Sequence, residues 1–140
     1  MDRKNFLNII GMSAAAFALI SCVGCKKSST GSSDTAGPTG VDFTLNLSLA
    51  VNGALLSNGG YLTSNGVIVA KTSSGNYIAV QRSCTHESYT LVYQGSNSRF
   101  YCANHGSIFS ESGIVTNGPA NRTLTTYHTE LTGNILRVYS

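Results

Sequence analysis

Apolar and polar residues alternate along much of the chain after position 40, and this alternation is the first structural signal in the sequence. From Val41 to Leu49 every second residue is apolar, which predicts a strand with one buried face. Shorter strand-like segments follow, separated by turns rich in Gly, Asn and Ser. They lie at residues 67–70, 77–80, 91–93, 99–101, 107–109, 124–131 and 135–138. The pattern predicts about eight to ten short antiparallel strands, and therefore an all-β fold.

Residues 1–21 have a different pattern, which predicts a bacterial export signal. Arg3 and Lys4 precede a mostly apolar run that is too short to span a bilayer as a helix. The run ends in Leu19-Ile20-Ser21-Cys22, which resembles a lipobox, the site where a lipoprotein signal is cut before a cysteine that then carries lipid. The alternative is an ordinary signal peptide with an incidental cysteine. Arg3-Lys4 also resembles a twin-arginine signal with lysine in the second place, so the export route stays open.

Lipidation of Cys22 would place the protein in the cell envelope, membrane-anchored and extracytoplasmic. Residues 22–40 are predicted to form a flexible linker after this anchor, because residues 26–40 are rich in Ser, Thr and Gly and have nothing to bury. Such a segment has a coil dimension of roughly 20 Å and a full reach of roughly 50 Å. The folded domain is expected to occupy residues 41–140.

Composition and charge narrow the class of function. The chain has 140 residues, enough for one domain, and a formal net charge of +3 with only 11% charged residues. Part of the positive charge lies near the N-terminus, at Arg3, Lys4, Lys26 and Lys27. Since no basic patch remains in the predicted domain, nucleic acid is not expected as a partner.

Two short motifs carry the candidate chemistry. Cys84-Thr85-His86 and Cys102-Ala103-Asn104-His105 each pair a thiol with an imidazole on a loop between predicted strands. Thiols and imidazoles in local pairs are typical of metal sites, so a disulfide framework is not the favoured interpretation of these cysteines. A structural zinc site could use the same four ligand types. Glu87 follows the first motif and is interpreted as a solvated surface charge.

The two motifs and their flanking segments resemble the Rieske family of [2Fe–2S] proteins. His105-Gly106-Ser107-Ile108-Phe109 is similar to the family's H-G-S-x-[FY] segment, and residues 113–120 are similar to its G-x-V-x-x-G-P-A loop. The resemblance covers roughly residues 41–140. It implies a Rieske-type antiparallel β-sandwich with a small cluster-binding subdomain, and one [2Fe–2S] cluster per chain.

The resemblance also implies the roles of individual residues. Cys84 and Cys102 would bind one iron, and His86 and His105 would bind the other. Residues around the cluster would be Gly106, Ser107 and Phe109, together with Gly118 and Pro119 of a loop that covers it.

This chain departs from the quinol-oxidising Rieske proteins at two places. Those proteins have an extra cysteine in each ligand loop, joined as a disulfide, where this chain has Tyr89 and Asn104. They also bond the cluster sulfurs with a serine and a tyrosine hydroxyl, and here Ser107 is kept but Phe109 replaces the tyrosine. Because this chain has fewer hydrogen bonds to the cluster sulfurs, its reduction potential is predicted to be lower than that of the quinol-oxidising proteins. It should still lie within the Rieske span of about −150 to +300 mV.

The sequence therefore predicts a membrane-anchored, extracytoplasmic electron-transfer protein that exchanges electrons with a redox partner protein. The alternative is the iron–sulfur subunit of a membrane oxidoreductase, either a quinol:cytochrome complex or the small subunit of a molybdenum enzyme. A third possibility is a non-redox binding module that has kept the fold. The chain has no substrate-pocket signature, so we expect a carrier or an oxidoreductase subunit and no enzyme acting by itself.

Overall fold

The computed structural model describes residues 35–140, which form two antiparallel β-sheets. The strands are β1 (Asp42–Asn46), β2 (Tyr61–Ser64), β3 (Val67–Lys71), β4 (Tyr77–Gln81), β5 (Val92–Gln94), β6 (Arg99–Tyr101), β7 (Ile108–Ser110), β8 (Val115–Asn117), β9 (Thr126–Thr132) and β10 (Ile135–Tyr139). Two short 3₁₀ helices are η1 (Ala50–Leu56) and η2 (Gly95–Asn97). Within this part of the chain, no helix has the length and apolarity needed to cross a membrane. The predicted signal peptide, Cys22 and the linker up to residue 34 lie outside the described residues.

The large sheet has the strand order β1-β10-β9-β4-β3-β2, and the small sheet has the order β5-β6-β7-β8. All strand pairings in both sheets are antiparallel. The prediction of an all-β fold with a smaller subdomain is therefore confirmed. The small sheet lies in the chain between β4 and β9, which pair through Ala79 with Tyr127 and Val80 with Thr126. The chain therefore leaves the large sheet and returns to it at adjacent points.

The apolar run of β3 is buried on both faces and separates two cores. Ile68 and Ala70 face one way, whereas Val67 and Val69 face the other, as alternation along a strand requires. The first core lies between the sheets and will be called the inter-sheet core; the second lies among the strands of the large sheet and η1. The inter-sheet core contains Ile68, Ala70, Val80, Cys84, Leu91, Tyr93, Phe100, Cys102, Phe109, Ala120 and Leu124. Both motif cysteines are thus core residues.

The first strand is shorter than the alternation predicts. β1 ends at Asn46 because the side chain of Asn46 accepts the backbone N–H of Ser48 at 2.9 Å, which turns the chain. The chain then enters η1, and Leu49 remains 53% exposed. Strand β2 was not predicted from the sequence. This strand has only four residues, and apolar and polar residues do not alternate in it, so the pattern does not indicate a strand.

Residues 35–40, predicted as the end of a flexible linker, lie packed against the folded domain. Thr35 is only 7% exposed, and the backbone N–H of Gly37 donates to the Thr125 hydroxyl at 3.2 Å. The Tyr127 hydroxyl donates to the Pro38 carbonyl at 2.8 Å. The flexible-linker prediction is therefore wrong for these residues, since their backbone groups satisfy buried side chains of the domain. We call residues 35–40 the N-terminal strap.

Candidate metal centre

The first motif lies on loop 1 (residues 82–91), which connects β4 with β5. The neck of the loop is closed by a bridge between Ser83 and Thr90 and by the Cys84 N–H, which donates to the Tyr89 carbonyl at 2.8 Å. Cys84 is fully buried, whereas His86 is partly exposed. The loop therefore directs its thiol into the protein and leaves its imidazole at the surface.

The second motif lies on loop 2 (residues 102–107), which connects β6 with β7. The Cys102 N–H donates to the Ser107 carbonyl and the Gly106 N–H donates to the Cys102 carbonyl, both at 2.9 Å. Gly106 has a φ of 80°, a left-handed conformation that favours glycine and closes this turn. Cys102 is fully buried and His105 is exposed, so loop 2 repeats the arrangement of loop 1.

The fold brings the two thiols together in the inter-sheet core. Cys84 and Cys102 are both free cysteines. Burial is the main influence on the Cys84 thiol and raises its pKa, while backbone hydrogen bonds from His86 and Glu87 oppose the rise and the Cys102 thiol adds to it. A pair of buried thiols with backbone N–H donors aimed at one of them suits thiolates that bind a metal.

The two imidazoles meet at the surface end of the same site. The Nδ1 atoms of His86 and His105 are 3.2 Å apart, and the rings are perpendicular with centroids 4.7 Å apart. Two nitrogens bound to one tetrahedral metal at about 2.1 Å each would lie roughly 3.4 Å apart. The observed separation therefore fits two imidazoles that converge on one metal ion.

Three further side chains lie around His105. The Glu87 carboxylate is 3.9 Å from Nδ1 of His105, so it approaches the histidine of the other loop, although it remains exposed as the sequence predicts. The ring of Tyr89 contacts His105 edge-on with centroids 5.8 Å apart, and the Asn104 amide nitrogen is 3.0 Å from Nδ1 of His105. Tyr89 and Asn104, which replace the disulfide cysteines of the quinol-oxidising proteins, thus both contact the candidate ligand His105.

The proline loop (residues 118–125), between β8 and β9, is tied to both ligand loops. The Thr85 hydroxyl donates to the Arg122 carbonyl at 2.7 Å. The amide of Asn117, the last residue of β8 directly before the loop, donates to the Gly106 carbonyl at 3.1 Å. Ser107 is fully buried, and its hydroxyl oxygen accepts the Ala120 N–H at 3.0 Å. These ties hold the proline loop beside the paired thiols and imidazoles.

The remaining sequence-predicted positions are placed as follows. Gly118 and Pro119 are exposed on the proline loop, joined by a cis peptide bond. Phe109 is fully buried in the inter-sheet core that contains both cysteines. His128 lies elsewhere, on β9 with its ring 5.3 Å from that of Tyr139, and has no part in the site.

Sequence reasoning missed the residues that support the loops. Thr85, Asn117 and Gln81 each bond a backbone group of a distant segment. The one sequence feature that could have indicated such a residue is the polar Gln81 at the end of the apolar strand β4. The sequence does not show that this glutamine is buried, so it gave no usable signal.

One protein-family model matches the sequence, that of the Rieske [2Fe-2S] domain, over residues 51–128. Among solved structures, the chain is similar to the cyanobacterial plasma membrane Rieske protein from Synechocystis PCC 6803. The two share 33% sequence identity with a TM-score of 0.51, over 58% of this chain and 85% of that chain. The fold is also similar to the ferredoxin of carbazole 1,9a-dioxygenase from Nocardioides aromaticivorans, with 18% identity and a TM-score of 0.54, over 73% of this chain and 98% of that chain. No curated protein matches the chain significantly.

The antiparallel β fold brings two buried thiols and two surface imidazoles together in one site. This arrangement is typical of iron–sulfur electron-transfer domains. The family match spans more than half of the 140 residues, and the chain belongs to the Rieske [2Fe–2S] family. A domain of this family binds a [2Fe–2S] cluster, so the zinc interpretation is not retained.

Proposed function

We propose that Cys84 and Cys102 bind one iron of the cluster and that His86 and His105 bind the other, in a membrane-anchored, extracytoplasmic electron carrier. The observation that carries the ligand assignment is the convergence of two buried thiols and two imidazoles whose Nδ1 atoms lie 3.2 Å apart. Neutral imidazoles in place of two thiolates remove negative charge, which raises the potential above that of an all-cysteine site.

The bound cluster supplies a one-electron redox couple. The inter-sheet core keeps water from the two thiols, because Cys84 and Cys102 have no exposed surface. The Ser107 oxygen already accepts the Ala120 N–H, so its own hydrogen is free to donate towards the cluster. His86 and His105 reach the surface, and a partner protein can approach the site most closely there.

The face around the histidines has few charges. Glu87 is the charged side chain that lies against His105, beside the neutral Tyr89 and Asn104. We expect the redox partner to dock mainly through neutral contacts, so that electron transfer depends only weakly on ionic strength. Stopped-flow rates with a candidate partner at low and high salt would measure this dependence, and a steep fall with salt would contradict it.

The proposed location rests on the N-terminal sequence. Leu19-Ile20-Ser21-Cys22 resembles a lipobox, and the similar cyanobacterial Rieske protein is a plasma membrane protein. From Cys22 to Thr35 the chain can extend at most roughly 45 Å, at about 3.5 Å per residue. A lipid on Cys22 would therefore keep the domain close to the membrane surface.

Electron paramagnetic resonance of the dithionite-reduced full chain tests the ligand assignment. The wild type should give the rhombic signal of a reduced Rieske cluster, as the family implies. His105→Cys should replace a neutral ligand with a thiolate and abolish or transform this signal, whereas His128→Gln, at the remote histidine, should leave it unchanged. A wild-type signal that survives unchanged in His105→Cys would refute the proposed ligand set.

Fatty-acid labelling and membrane fractionation test the anchor separately. The wild type should incorporate labelled fatty acid and sediment with membranes, whereas Cys22→Ser should do neither. If the wild type incorporates no labelled fatty acid, or is recovered in the cytoplasmic fraction, the proposed anchor is wrong. Purification of the detergent-extracted protein alone supports a free carrier, and stoichiometric co-purification with an oxidoreductase would favour the subunit alternative.

A further inference from the structure

The N-terminal strap is built into the domain. A side chain at Gly37 would place its Cβ 2.7 Å from Cβ of Gln81, so the strap can lie this close only because residue 37 is glycine. Further contacts come from the Thr125 and Tyr127 side chains, which bond the strap backbone at Gly37 and Pro38. The strap therefore has a defined path across the ends of β4 and β9.

The strap meets the domain at Gln81, the last residue of β4, whose side chain is fully buried. The Gln81 amide oxygen accepts the Thr125 N–H at 2.7 Å. Its amide nitrogen donates to two carbonyls, those of Thr35 and Ser83, each at 2.7 Å. One buried amide thus joins the strap, the proline loop and loop 1.

A buried amide is costly to leave unpaired, so each of these bonds constrains the others. Within residues 35–140, no buried polar side-chain atom lacks a hydrogen-bond partner. If the strap moved away, the Gln81 amide would lose the Thr35 carbonyl and would have to turn or recruit water. A turn of the amide would break its bond to the carbonyl of Ser83, which directly precedes Cys84.

We infer that Gln81 is a positioning residue of the redox site, and that the N-terminal strap holds it in place. The inference rests on the proposed ligand role of Cys84. Gln81 holds the backbone on one side of Cys84 through the Ser83 carbonyl, and Thr85 holds the other side through the Arg122 carbonyl at 2.7 Å. The chain that leads to the N-terminus therefore enters the domain at the base of loop 1.

The consequence concerns the redox site itself. The reduction potential of an iron–sulfur cluster depends on its ligand positions, on hydrogen bonds to its sulfurs and on solvent exposure. Ser83 directly precedes Cys84, so a shift of the loop 1 backbone at Ser83 moves the Cys84 sulfur relative to the other ligands. A displacement of the strap is thereby transmitted to the site through two hydrogen bonds of one side chain.

The test compares Gln81→Met and Gly37→Ala with the wild type in the full cluster-loaded chain. Methionine keeps the approximate shape of glutamine but removes all hydrogen bonds of the side chain, and alanine at position 37 pushes the strap away from Gln81. Both variants should shift the redox midpoint and change the resonance line shape. Gly37→Ala should also lose visible cluster absorbance on warming about three- to tenfold faster than the wild type, the effect of roughly one hydrogen bond. Gln81→Met should lose it faster still, because it removes several bonds.

Thr129→Val is the matched control. Thr129 also lies on β9, and its hydroxyl donates to the Tyr77 carbonyl at 2.9 Å at the opposite end of β4. This variant should lower the unfolding temperature while its midpoint and line shape stay as in the wild type. If Gln81→Met does not fold, Thr125→Val decides the matter, because it removes only the strap bond to Gly37. Its midpoint should shift in the same direction as that of Gly37→Ala, by less.

The outcomes separate the two proposals. If the variants unfold more easily but keep the wild-type midpoint and line shape, Gln81 is merely structural and the inference is wrong. If the wild type itself lacks a Rieske-type signal, the proposed ligand set fails, whatever the variants do.

Discussion

The Ser107 hydroxyl has two separable roles, which Ser107→Ala should reveal. Its oxygen accepts the backbone N–H of Ala120 at 3.0 Å, and both residues are buried, with Ser107 at 0% exposure and Ala120 at 4%. Its hydrogen is free to donate towards the bound cluster. Replacement by alanine removes only the oxygen, so the turn at Gly106 and the strand that follows should remain.

The first effect is on stability. A buried N–H left without a partner costs about 1–3 kcal/mol, so the variant should unfold at least about 1 kcal/mol more easily. For a domain of about 100 residues, each kcal/mol lowers the unfolding temperature by about 4–8 °C. We therefore expect a decrease of at least about 4 °C, measured by circular dichroism at a fixed heating rate.

The second effect is on the reduction potential. A hydrogen bond to a charged group contributes about 1.5–3 kcal/mol, and it strengthens when the cluster gains an electron. If about half of that energy distinguishes the two oxidation states, the midpoint falls by roughly 30–65 mV, since 59 mV corresponds to a factor of ten for one electron. A redox titration followed by circular dichroism or magnetic resonance measures this shift.

Ser110→Ala is the matched control for both effects. Ser110 is three residues further along the chain, at the end of β7, and its hydroxyl accepts the backbone N–H of Ile114 at 3.1 Å in an exposed setting. Its loss should cost less than about 1 kcal/mol and leave the midpoint unchanged. If Ser107→Ala lowers the unfolding temperature but also leaves the midpoint unchanged, the hydroxyl serves only the proline loop and the second half of the reasoning is wrong.

Three other substitutions test separate parts of the molecule. Phe109→Tyr should raise the midpoint in a redox titration, because it adds a hydroxyl where the quinol-oxidising proteins have one; a fall would contradict this. Burial and the bond to Glu111 raise the pKa of the Tyr93 phenol, so the folded state favours the neutral form and loses stability above about pH 10, the usual phenol pKa. The stability gap between the wild type and Tyr93→Phe, measured by denaturant titration, should therefore narrow as the pH rises past that value. Gly95→Ala should destabilise by about 1–3 kcal/mol, because its methyl would collide with the Gly59 backbone where the two sheets meet; an unchanged denaturation midpoint would refute that contact.

The ligand motifs could be predicted from the sequence because each is local. Cys84 and His86 are two positions apart, and Cys102 and His105 are three apart, so each pair is complete within one loop. Strand alternation and turn residues are also local, which is why the all-β class could be predicted correctly. The end of β1 was less predictable, because a single Asn46 side chain turns the chain where the alternation continues.

The supporting contacts could not be predicted, because they join residues that are far apart in the chain. The bond from Gln81 to Thr35 spans 46 positions, and that from Thr85 to Arg122 spans 37. Nothing in the composition of residues 35–40 distinguishes a packed strap from a flexible linker; the difference is a buried amide that needs a carbonyl partner.

The amino-acid sequence was therefore sufficient for the family, the cofactor class and the candidate ligands, since those depend on residue types at short spacing. Only the folded chain shows that the imidazole nitrogens converge to 3.2 Å, that Glu87 approaches the histidine of the other loop, and that the N-terminal strap supports loop 1. These features depend on how the two sheets pack around the inter-sheet core, and packing places side chains according to shape and burial, which a pattern of residue types does not encode.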